Sequence, residues 1–558
     1  MASRQLIECV PNFSEGRDMK IIKQITDEIE KIEEVKLLDV DPGKATNRTV
    51  VTFVGPPDAV IEAAYQAIKK ASELIDMSKH KGEHPRMGAT DVCPLIPISN
   101  ITMEEVVEYA KKLGEKAGST LEIPFYLYES AATQEDRKNL AIVRAGEYEG
   151  LPKKLKEPHW KPDYGPSSFN VKAGATAIGA RDFLVAYNVN LNTTSVRRAN
   201  AIAFDVREKG RVKKIKSVIQ RDESGDPLRT PGALKSVKAI GWFIDEYNQA
   251  QISMNLTNIS ITSLHEAFEA CRESATRRGI RVTGSELVGL VPKKVLLDAG
   301  KYFLAKQQRS LGISEEEIIQ IAIKSLGLDE LGPFDPKKKV IEYLLVDENS
   351  AQLVNNNLIE FANDTASESP APGGGSIAAY LGSLGAALGT MVANLSSHKR
   401  GWDKRWEEFS KAAEEGQKLK DKLLHLVDAD TEAFNGIIDA VRMPKGTAAE
   451  KELRQDAMLA ATKNAIKIPL DVMKTSDACF PLLRQMAETG NPNSVSDAGV
   501  GALCCRAAVY GAYLNVKINC KDIDDANYVK KTLKEADEIL THAEKEEKQI
   551  LKIVEEKL

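Results

Sequence analysis

Residues 78–98, SKHKGEHPRMGATDVCPLIPI, place two histidines, the carboxylate of Glu83 and several basic side chains next to an apolar stretch. Glycine and proline in this segment disfavour a regular helix, so it is predicted to be a loop that leads into a strand. Imidazole titrates near neutral pH, which makes a histidine acid/base the favoured chemistry. His84 is the better candidate of the two, because Glu83, Pro85 and Arg86 bracket it with rigid and charged neighbours.

Two other interpretations of the same loop remain open. His80, Glu83 and His84 have the H-x-x-E-H spacing of a zinc-protease motif, which requires one continuous helix. Gly82 weakens such a helix, Pro85 pushes His84 out of the helical region, and no convincing third ligand follows. We therefore expect no metal, while a solvated loop with purely structural histidines stays possible.

A second candidate group lies far along the chain, in LVDADTEAF at residues 426–434. Helical spacing puts Asp430 in the middle of an apolar stripe and Asp428 on nearly the opposite face. A carboxyl group on a packed face has a raised pKa and can donate a proton at neutral pH. The alternative is an aspartate that bonds a neighbouring helix for packing. The PGGGS turn at 372–376 could seat an anion or simply connect two helices.

The elements that must position these residues change in character along the chain. The first third predicts strands and helices in the order β-α-β-β-α-β, which is typical of a ferredoxin-like unit. The predicted elements are strands at 6–11, 35–40, 48–54, 92–98 and 125–128 and helices at 19–32, 58–77 and 103–113. Residues 150–181 are rich in Pro, Gly and Ser and predict an ordered binding loop, with a plain linker as the alternative.

The same order of elements is predicted again in the next segment, so two related α+β subdomains are expected. Its strands are predicted at 183–191, 212–219, 239–255 and 286–291, with helices at 195–206, 264–277, 293–304 and 315–326. Residues 337–340 and a strand-like IEYLL at 341–345 are predicted to end the region. From about residue 346 long amphipathic helices predict an all-helical bundle, with helices at 351–366, 377–395, 403–441, 448–475, 495–516 and 526–558.

Bulk composition excludes several classes of function. The chain has 558 residues, 42 % hydrophobic and 28 % charged, with a net charge of −5. That balance provides no general attraction to nucleic acid or to a membrane. The seven cysteines contain no CxxC pair, which is typical of reduced thiols in a cytoplasm, and the glycine-interrupted run at 377–395 predicts a buried helix rather than a membrane span.

Several long strings together resemble a known enzyme family. VPNFSEG (10–16), LLDVDPG (37–43), NRTV (47–50), HKGEHPRMGATDVCP (80–94), RAGEYEGLPKKL (144–155), DYGPSSF (163–169) and GATAIGAR (174–181) resemble glutamate formimidoyltransferase over about residues 4–345. APGGGS (371–376) and LVDADTEAF (426–434) resemble formimidoyltetrahydrofolate cyclodeaminase. Their order and spacing resemble the bifunctional formimidoyltransferase-cyclodeaminase family over almost the whole chain.

The resemblance implies both an architecture and a set of site residues. The implied domains are a transferase N-subdomain (1–183), a transferase C-subdomain (184–345), a linker (346–353) and a cyclodeaminase domain (354–558). The implied catalytic residues are His84 for transfer and Asp430 for cyclodeamination, and Asn12 and Asp41, which lie in matching strings, are expected to contact substrate. Arg48 or Arg86 could hold a substrate carboxylate. The folate-binding loop matches Gly165, Pro166, Ser167, Ser168, Phe169, Asn170, Val171, Lys172, Ala173 and Gly174.

The implied reactions belong to histidine degradation. A formimidoyl group passes from N-formimidoyl-L-glutamate to tetrahydrofolate, with or without a polyglutamyl tail. Ring closure then gives 5,10-methenyltetrahydrofolate and ammonia, with no metal. The family also implies a cytoplasmic, ring-like homo-octamer. Two rival hypotheses are a helical domain that acts as a methenyltetrahydrofolate cyclohydrolase, and a folate-binding scaffold whose sites are inactive.

Overall fold

The computed structural model describes residues 5–44, 46–82, 85–216, 218–223, 225–345 and 352–558. The chain divides into two compact units. The first unit comprises Met1–Leu296 and Leu326–Val346, and the second comprises Leu297–Ser325 and Asp347–Leu558. The architecture is therefore multidomain, and its C-terminal part is helical as the sequence predicts.

The first unit begins with a seven-stranded sheet. Its strands are β1 (Leu6–Cys9), β2 (Asn12–Phe13), β3 (Lys36–Gly43), β4 (Arg48–Gly55), β5 (Thr90–Ser99), β6 (Phe125–Glu129) and β7 (Thr176–Ala180). β1 and β2 follow one another between β4 and β5, and all of these pairs are antiparallel. β3 pairs with the outer side of β4, and β7 and β6 extend the sheet in parallel beyond β5.

Helices cover the two faces of this sheet unequally. α1 (Met19–Glu30), α2 (Pro57–Leu74) and α3 (Met103–Thr120) pack on a core that includes Phe53, Phe125 and Leu127. The alternating residues Tyr126 and Tyr128 belong to a second core, beneath α4 (Leu140–Val143) and α5 (Glu147–Lys154). This period-two alternation is what a strand buried on both faces requires.

A second sheet of four antiparallel strands follows. β8 (Val185–Leu191) leads through α6 (Val196–Val206) to four two-residue strands, β9 (Arg211–Val212), β10 (Lys214–Ile215), β11 (Val218–Ile219) and β12 (Arg229–Thr230). This segment ends with β13 (Val237–Ile244), β14 (Gln249–Leu256), α7 (Leu264–Thr276) and β15 (Val282–Val288). The order across the sheet is β13-β14-β8-β15.

Two predicted strands of this segment were wrong in detail. The predicted strand at 212–219 does not join the four-stranded sheet but forms short ladders, in which Ile215 and Val218 are 63 % and 64 % exposed. The predicted strand at 239–255 is a hairpin, because Asn248 turns the chain with φ 50° and its N–H donates to Asp245 O. The sheet has four strands, as many as were predicted for this segment, only because these two errors compensate.

Four helices end the transferase-like part of the sequence: α8 (Lys293–Lys306), α9 (Glu315–Leu326), α10 (Pro336–Lys339) and α11 (Ile341–Leu345). The strand-like conformation predicted for IEYLL at 341–345 was therefore wrong, since these residues form α11, which begins one residue after α10 ends. Asp335 accepts a hydrogen bond from Lys337 N–H, and Pro336 occupies the first turn, which together start a helix.

The second unit is built around a central helix. Besides most of α8 and α9, its helices are α12 (Leu358–Thr365), α13 (Gly374–Ser397), α14 (Trp406–Arg442), α15 (Ala448–Asp477), α16 (Phe480–Thr489), α17 (Val495–Asn519) and α18 (Ala526–Glu555). By length and composition alone, α13 is long and apolar enough to cross a membrane. However, 61 % of its apolar 18-residue stretch is buried inside the protein. Glycines at 382 and 385 let α15 and α17 approach it closely.

Two helix predictions in this unit also need correction. The continuous helix predicted at 351–366 is a 3₁₀ turn at Leu353–Asn355 followed by α12, since Asn357 accepts hydrogen bonds from Ile359 and Glu360 and starts a new helix. The sequence prediction also missed α16, which is short and lies between Cys479 and Gly490. Most of the predicted linker, residues 346–351, lies outside the described residues.

Candidate active sites

Three loops meet at one end of the first sheet. Ser14 Oγ donates to Gly88 O at 2.7 Å. The Asn47 side chain bridges the other two loops: its Oδ1 accepts from Gly16 N–H at 3.0 Å, and its Nδ2 donates to Lys81 O at 3.1 Å. The structure thus brings together the strings at 10–16, 47–50 and 80–94. Glu83 and His84 lie outside the described residues, so the role of His84 stays a prediction.

His80 is held in this cluster by both of its ring nitrogens. Nε2 lies 2.8 Å from Asn47 O, and Nδ1 accepts a hydrogen bond from Arg86 Nε at 3.2 Å. A carbonyl can only accept, so this arrangement assigns the ring proton to Nε2. Burial lowers the His80 pKa, and the positive charge of Arg86 lowers it further. His80 is therefore a neutral histidine that fixes the loop, with no ring nitrogen left to exchange a proton with substrate.

Arg86 is engaged by acidic side chains of α5. Its guanidinium donates to both carboxylate oxygens of Glu149, at 2.9 and 2.8 Å, and to Glu147 at 3.1 Å. The hydrogen bond to Glu149 raises the Arg86 pKa. Tyr148 N–H also donates to Arg86 O at 2.9 Å. Arg86, predicted to hold a substrate carboxylate, here ties α5 to the histidine-bearing loop.

Asn12 and Arg48 lie side by side, as two of the predicted substrate-binding residues. Arg48 Nε donates to Asn12 Oδ1 at 3.0 Å, while Asn12 Nδ2 donates to Val10 O at 2.9 Å. Asp41 is exposed and lies on the edge strand β3. Val50 of β4 pairs with Asp41 on one side and with Asn12 of β2 on the other. Asp41 and Asn12 therefore face the same side of the sheet, two strand spacings or roughly 10 Å apart.

The sequence prediction missed Asp91, which organises this part of the site. Its carboxylate is fully buried, accepts from Met87 N–H at 3.0 Å, and pairs with Arg48 and with Arg144, the latter at 2.7 Å. Burial alone would raise the Asp91 pKa, but the charges of Arg48 and Arg144 outweigh it and hold the pKa below its usual range. A lone carboxylate that opens an apolar strand was the available signal in the sequence.

The predicted folate loop, residues 165–174, is ordered against the same cluster. Asn170 O accepts from Gly174 N–H at 2.8 Å, and Ala173 O accepts from Ala89 N–H at 2.8 Å. Gly174 has φ +70°, and a Cβ there would overlap Met87 O, so only glycine fits this approach. The Phe169 ring lies 5.3 Å from the ring of Tyr148. Polar and apolar side chains along the loop remain exposed, namely Ser167, Ser168, Val171 and Lys172.

Within the described ranges, no group of three or more His, Cys, Asp or Glu side chains is placed to hold a metal ion. Two members of the H-x-x-E-H string, Glu83 and His84, are outside those ranges. His80, the remaining member, uses both ring nitrogens within the protein.

The second candidate site lies in the helical unit, where Asp430 of α14 meets the start of α13. Ser376 Oγ lies 3.0 Å from Val427 O and 3.2 Å from Asp430 Oδ2. Burial raises the Asp430 pKa, and hydrogen bonds from Ser376 lower it only in part. The carboxyl group is thus suited to hold a proton and release it. A Cβ on Gly375 would overlap the Asp430 carboxyl group, so this helix start must be glycine.

Asp428 has a different role from Asp430, although the two are separated by one residue. Its Oδ1 accepts from Leu353 N–H at 2.7 Å, and burial raises its pKa. Asp428 therefore fixes the 3₁₀ turn before α12. The PGGGS turn provides the start of α13, with Gly373 as its N-cap residue and no side-chain cap, and Asn515 of α17 lies close to Gly374.

Comparison with known proteins assigns descriptions to three segments of the chain. Residues 6–181 match the formiminotransferase domain, N-terminal subdomain, and residues 186–346 match the formiminotransferase domain. Residues 357–538 match the family described as formiminotransferase-cyclodeaminase.

Full-length and partial relatives were both found. The formimidoyltransferase-cyclodeaminase of Mus musculus is 44 % identical over 95 % of both chains. The glutamate formimidoyltransferase of Streptococcus pyogenes is 44 % identical over 54 % of this chain and 93 % of its own length. The methenyltetrahydrofolate cyclohydrolase of Methylorubrum extorquens is 35 % identical over 34 % of this chain and 92 % of its own.

Proposed function

Because the chain belongs to the formimidoyltransferase-cyclodeaminase family, we propose that it catalyses two consecutive reactions on tetrahydrofolate. The first transfers the formimidoyl group of N-formimidoyl-L-glutamate to N5 of tetrahydrofolate and releases L-glutamate. The second closes the ring onto N10 and gives 5,10-methenyltetrahydrofolate and ammonia. The observation that carries this proposal is 44 % identity to a bifunctional relative over 95 % of both chains.

The transferase step requires proton movement at two nitrogens. N5 attacks the formimidoyl carbon and must lose a proton, while the departing glutamate nitrogen must gain one. His84 can do both in turn, accepting the first proton and donating the second. His80 is unsuited to this role because both ring nitrogens are bonded within the loop. Asn12, Asp41 and Arg48 are the proposed substrate-binding residues, whereas Arg86, the fourth residue predicted from the sequence, is already paired with Glu149 and Glu147.

The loop 165–174 is the proposed folate-binding segment. It supplies an aromatic side chain, exposed hydroxyl groups and an exposed lysine beside residues 87–89. An aromatic ring can stack on a pterin, and a lysine can pair with the glutamyl carboxylate of the folate. The co-substrate would be tetrahydrofolate, with or without a polyglutamyl tail.

The cyclodeaminase step needs an acid rather than a base at its outset. Ammonia leaves poorly until its nitrogen is protonated, and Asp430 is proposed as the proton donor. Its raised pKa keeps a larger fraction of the carboxyl group protonated than an ordinary aspartate would have. Ring closure joins two atoms of one molecule, so positioning supplies much of the rate.

A coupled assay tests the proposal directly. The full-length protein is given N-formimidoyl-L-glutamate and tetrahydrofolate, and methenyltetrahydrofolate and ammonia are measured together. We expect both to form in equal amounts. Tight folate binding without turnover of either step would overturn the proposal and favour the inactive scaffold.

The Methylorubrum relative favours one specific alternative, a transferase fused to a methenyltetrahydrofolate cyclohydrolase-like domain. The two are separated by giving the full-length protein 5-formimidoyltetrahydrofolate in one assay and 5,10-methenyltetrahydrofolate in another. A cyclodeaminase releases ammonia from the first compound and forms the second. A cyclohydrolase releases no ammonia and consumes the methenyl compound with water.

The finer architecture is part of the same proposal. We propose ferredoxin-like subdomains at 1–183 and 184–345, a linker at 346–353 and a cyclodeaminase domain at 354–558. Both sheets support this, since β3-β4-β1-β5 and β13-β14-β8-β15 have the same antiparallel order, connected as strand, helix, two strands, helix and strand. We further propose a cytoplasmic homo-oligomer, an octameric ring by family resemblance, with no nucleic-acid or membrane partner.

A further inference from the structure

The buried cluster around Asp91 contains more positive than negative charge. Arg48 and Arg144 both pair with Asp91 Oδ2, and their side chains are only 9 % and 15 % exposed. The remaining oxygen, Oδ1, accepts from Met87 N–H. Among the residues that the structure describes, two guanidinium groups share one carboxylate, which leaves about one positive charge in a poorly solvated place.

The nearby acidic side chains of α5 do not balance this charge. Glu149 uses both of its oxygens on Arg86, and Glu147 also bonds Arg86. Tyr128 is close enough to interact with both arginines, but burial raises its pKa to about 12, so it is neutral at working pH. A bound anion is the simplest group that would complete the cluster.

Arg144 also has an unused hydrogen-bond donor. Its Nε is buried and has no hydrogen-bond partner within the described part of the chain. A buried donor without an acceptor is unfavourable, and a guanidinium Nε commonly serves as one prong of a bidentate grip on a carboxylate. The donor set of Arg144 therefore fits a carboxylate ligand.

The backbone that carries Arg144 is held firmly in place. Lys154 Nζ donates to three carbonyls of this turn, Ile142 O, Val143 O and Ala145 O, at 3.2, 2.5 and 3.2 Å. The same ammonium lies 3.8 Å from the centre of the Trp160 ring. A fixed backbone reduces the entropy lost when a ligand orders the Arg144 side chain.

The cluster is adjacent to the proposed transferase machinery. Met87, which bonds Asp91, follows His84 by three residues, and Arg48 bonds Asn12. We propose that Arg144, preorganised by Asp91, binds a carboxylate of the glutamate substrate. The inference rests on the proposed transferase activity, and it gives Arg144 the role that the sequence suggested for Arg86, whose guanidinium is paired with Glu149 and Glu147.

The test combines a variant with substrate analogues. Arg144→Gln removes the charge, and we expect KM for N-formimidoyl-L-glutamate to rise roughly 10- to 100-fold, the loss of one charge-assisted hydrogen bond. Arg144→Lys, which keeps the charge, should recover part of the loss. Lys153→Gln removes one charge from an exposed site in the same segment and should leave KM unchanged. Circular dichroism and the urea concentration at which transfer is half lost report that the first unit of each variant is folded.

The analogues decide whether Arg144 touches the substrate. N-formimidoyl-L-glutamine lacks the side-chain carboxylate, and N-formimidoyl-4-aminobutyrate lacks the α-carboxylate. With the analogue that lacks the carboxylate bound by Arg144, the wild-type protein should be less active than with the natural substrate. Arg144→Gln should be about equally active with that analogue and with the natural substrate, because it has already lost the group that binds this carboxylate. If the loss caused by Arg144→Gln and the loss caused by the analogue are independent, and so multiply, for both analogues, Arg144 acts only on the fold and the inference is overturned.

A further arm separates the glutamate substrate from the glutamyl tail of folate. Tetrahydropteroate has no such tail, so with this acceptor the effect of Arg144→Gln should be unchanged. If the effect disappears with tetrahydropteroate, the carboxylate belongs to folate and the inference is wrong. Absence of transfer by the wild-type protein would instead refute the proposed function itself.

Discussion

Two side chains, His84 and Asp430, are expected to divide the chemistry between them. His84→Ala should abolish formimidoyl transfer and leave ammonia release from 5-formimidoyltetrahydrofolate intact. Asp430→Asn should do the reverse, since an amide cannot donate the proton, with a loss of about 10²- to 10⁴-fold. Separate assays of the two half-reactions measure this. Loss of both activities in either folded variant would contradict the assignment.

The raised pKa of Asp430 gives a pH dependence with a definite sign. The acid form is the active one, so kcat for cyclodeamination should fall as pH rises through the Asp430 pKa, which burial places above that of an ordinary aspartate. A rate–pH profile with 5-formimidoyltetrahydrofolate measures the pH at which kcat falls, and Asp428→Asn is the matched control. If Asp428→Asn changes this pH and Asp430→Glu does not, the wrong aspartate has been chosen.

Asp91 should matter for stability as well as for binding. Asp91→Asn would leave Arg48 and Arg144 buried without their counter-charge, and we expect the first unit to lose about 3–5 kcal/mol. The Asp91 pKa is depressed in the fold, so its contribution is present above the unfolded pKa and lost as pH falls through the folded one.

Urea inactivation of the two half-reactions measures this effect in each unit. In Asp91→Asn the transferase should fail at lower urea than in wild type, while the cyclodeaminase midpoint stays unchanged. Asp58→Asn, at an exposed position paired only loosely with Lys112, is the control and should shift neither midpoint appreciably. Equal midpoints for wild type and Asp91→Asn would show that the cluster does not stabilise the unit.

At the residue scale, sequence patterns predict side chains whose chemistry is local. Helical spacing alone singles out Asp430, and Pro85 with Gly82 disfavours a zinc helix. The partners of Arg86 and Arg144 could not be predicted in this way. Glu149 is 63 residues from Arg86, and Asp91 is separated from Arg144 by the whole of α3, β6 and α4, so only the packed sheet brings them together.

Among the elements, long periodic segments were predicted well and short or interrupted ones poorly. α14 and α15 agree with the predicted ranges to within a few residues. For α14 the reason is that its apolar, buried residues recur over many turns, from Phe409 to Ala440. The β13–β14 hairpin was missed, because its turn, DEYN at 245–248, contains no glycine or proline. α16 was missed because its short range offers too few turns for a clear period.

The start of α13 is an element-scale test of the second site. Gly375→Ala would force a methyl group into the Asp430 carboxyl group and should reduce ammonia release by at least tenfold, with transfer unaffected. Gly436→Ala, in the interior of α14 with open space around it, is the control. It should keep both activities and stabilise the helix by up to ~1 kcal/mol. Full cyclodeaminase activity in Gly375→Ala would show that this close approach is dispensable.

For the whole molecule, the change near residue 346 from alternating strands and helices to long amphipathic helices was enough to predict several domains with a helical C-terminal part. The division into two compact units was not predictable, since residues 297–325 cluster with the helical unit although they precede the predicted linker. Gly312 explains part of this: its carbonyl accepts hydrogen bonds from Asn394 and Gln417, at 2.8 and 3.2 Å. Such long-range bonds leave no periodic pattern in the sequence.

Two half-active variants offer a test of the whole molecule. Neither His84→Ala nor Asp430→Asn alone should convert N-formimidoyl-L-glutamate and tetrahydrofolate to methenyltetrahydrofolate, since each lacks one step. Their mixture contains one working copy of each site, and the intermediate is a small molecule that can pass through solution. We therefore expect the mixture to regain the overall conversion, with a lag while 5-formimidoyltetrahydrofolate accumulates, when methenyltetrahydrofolate is followed over time. If the mixture stays inactive although each variant performs its own half-reaction, the intermediate does not exchange between molecules, and the two active sites cannot act as independent catalysts.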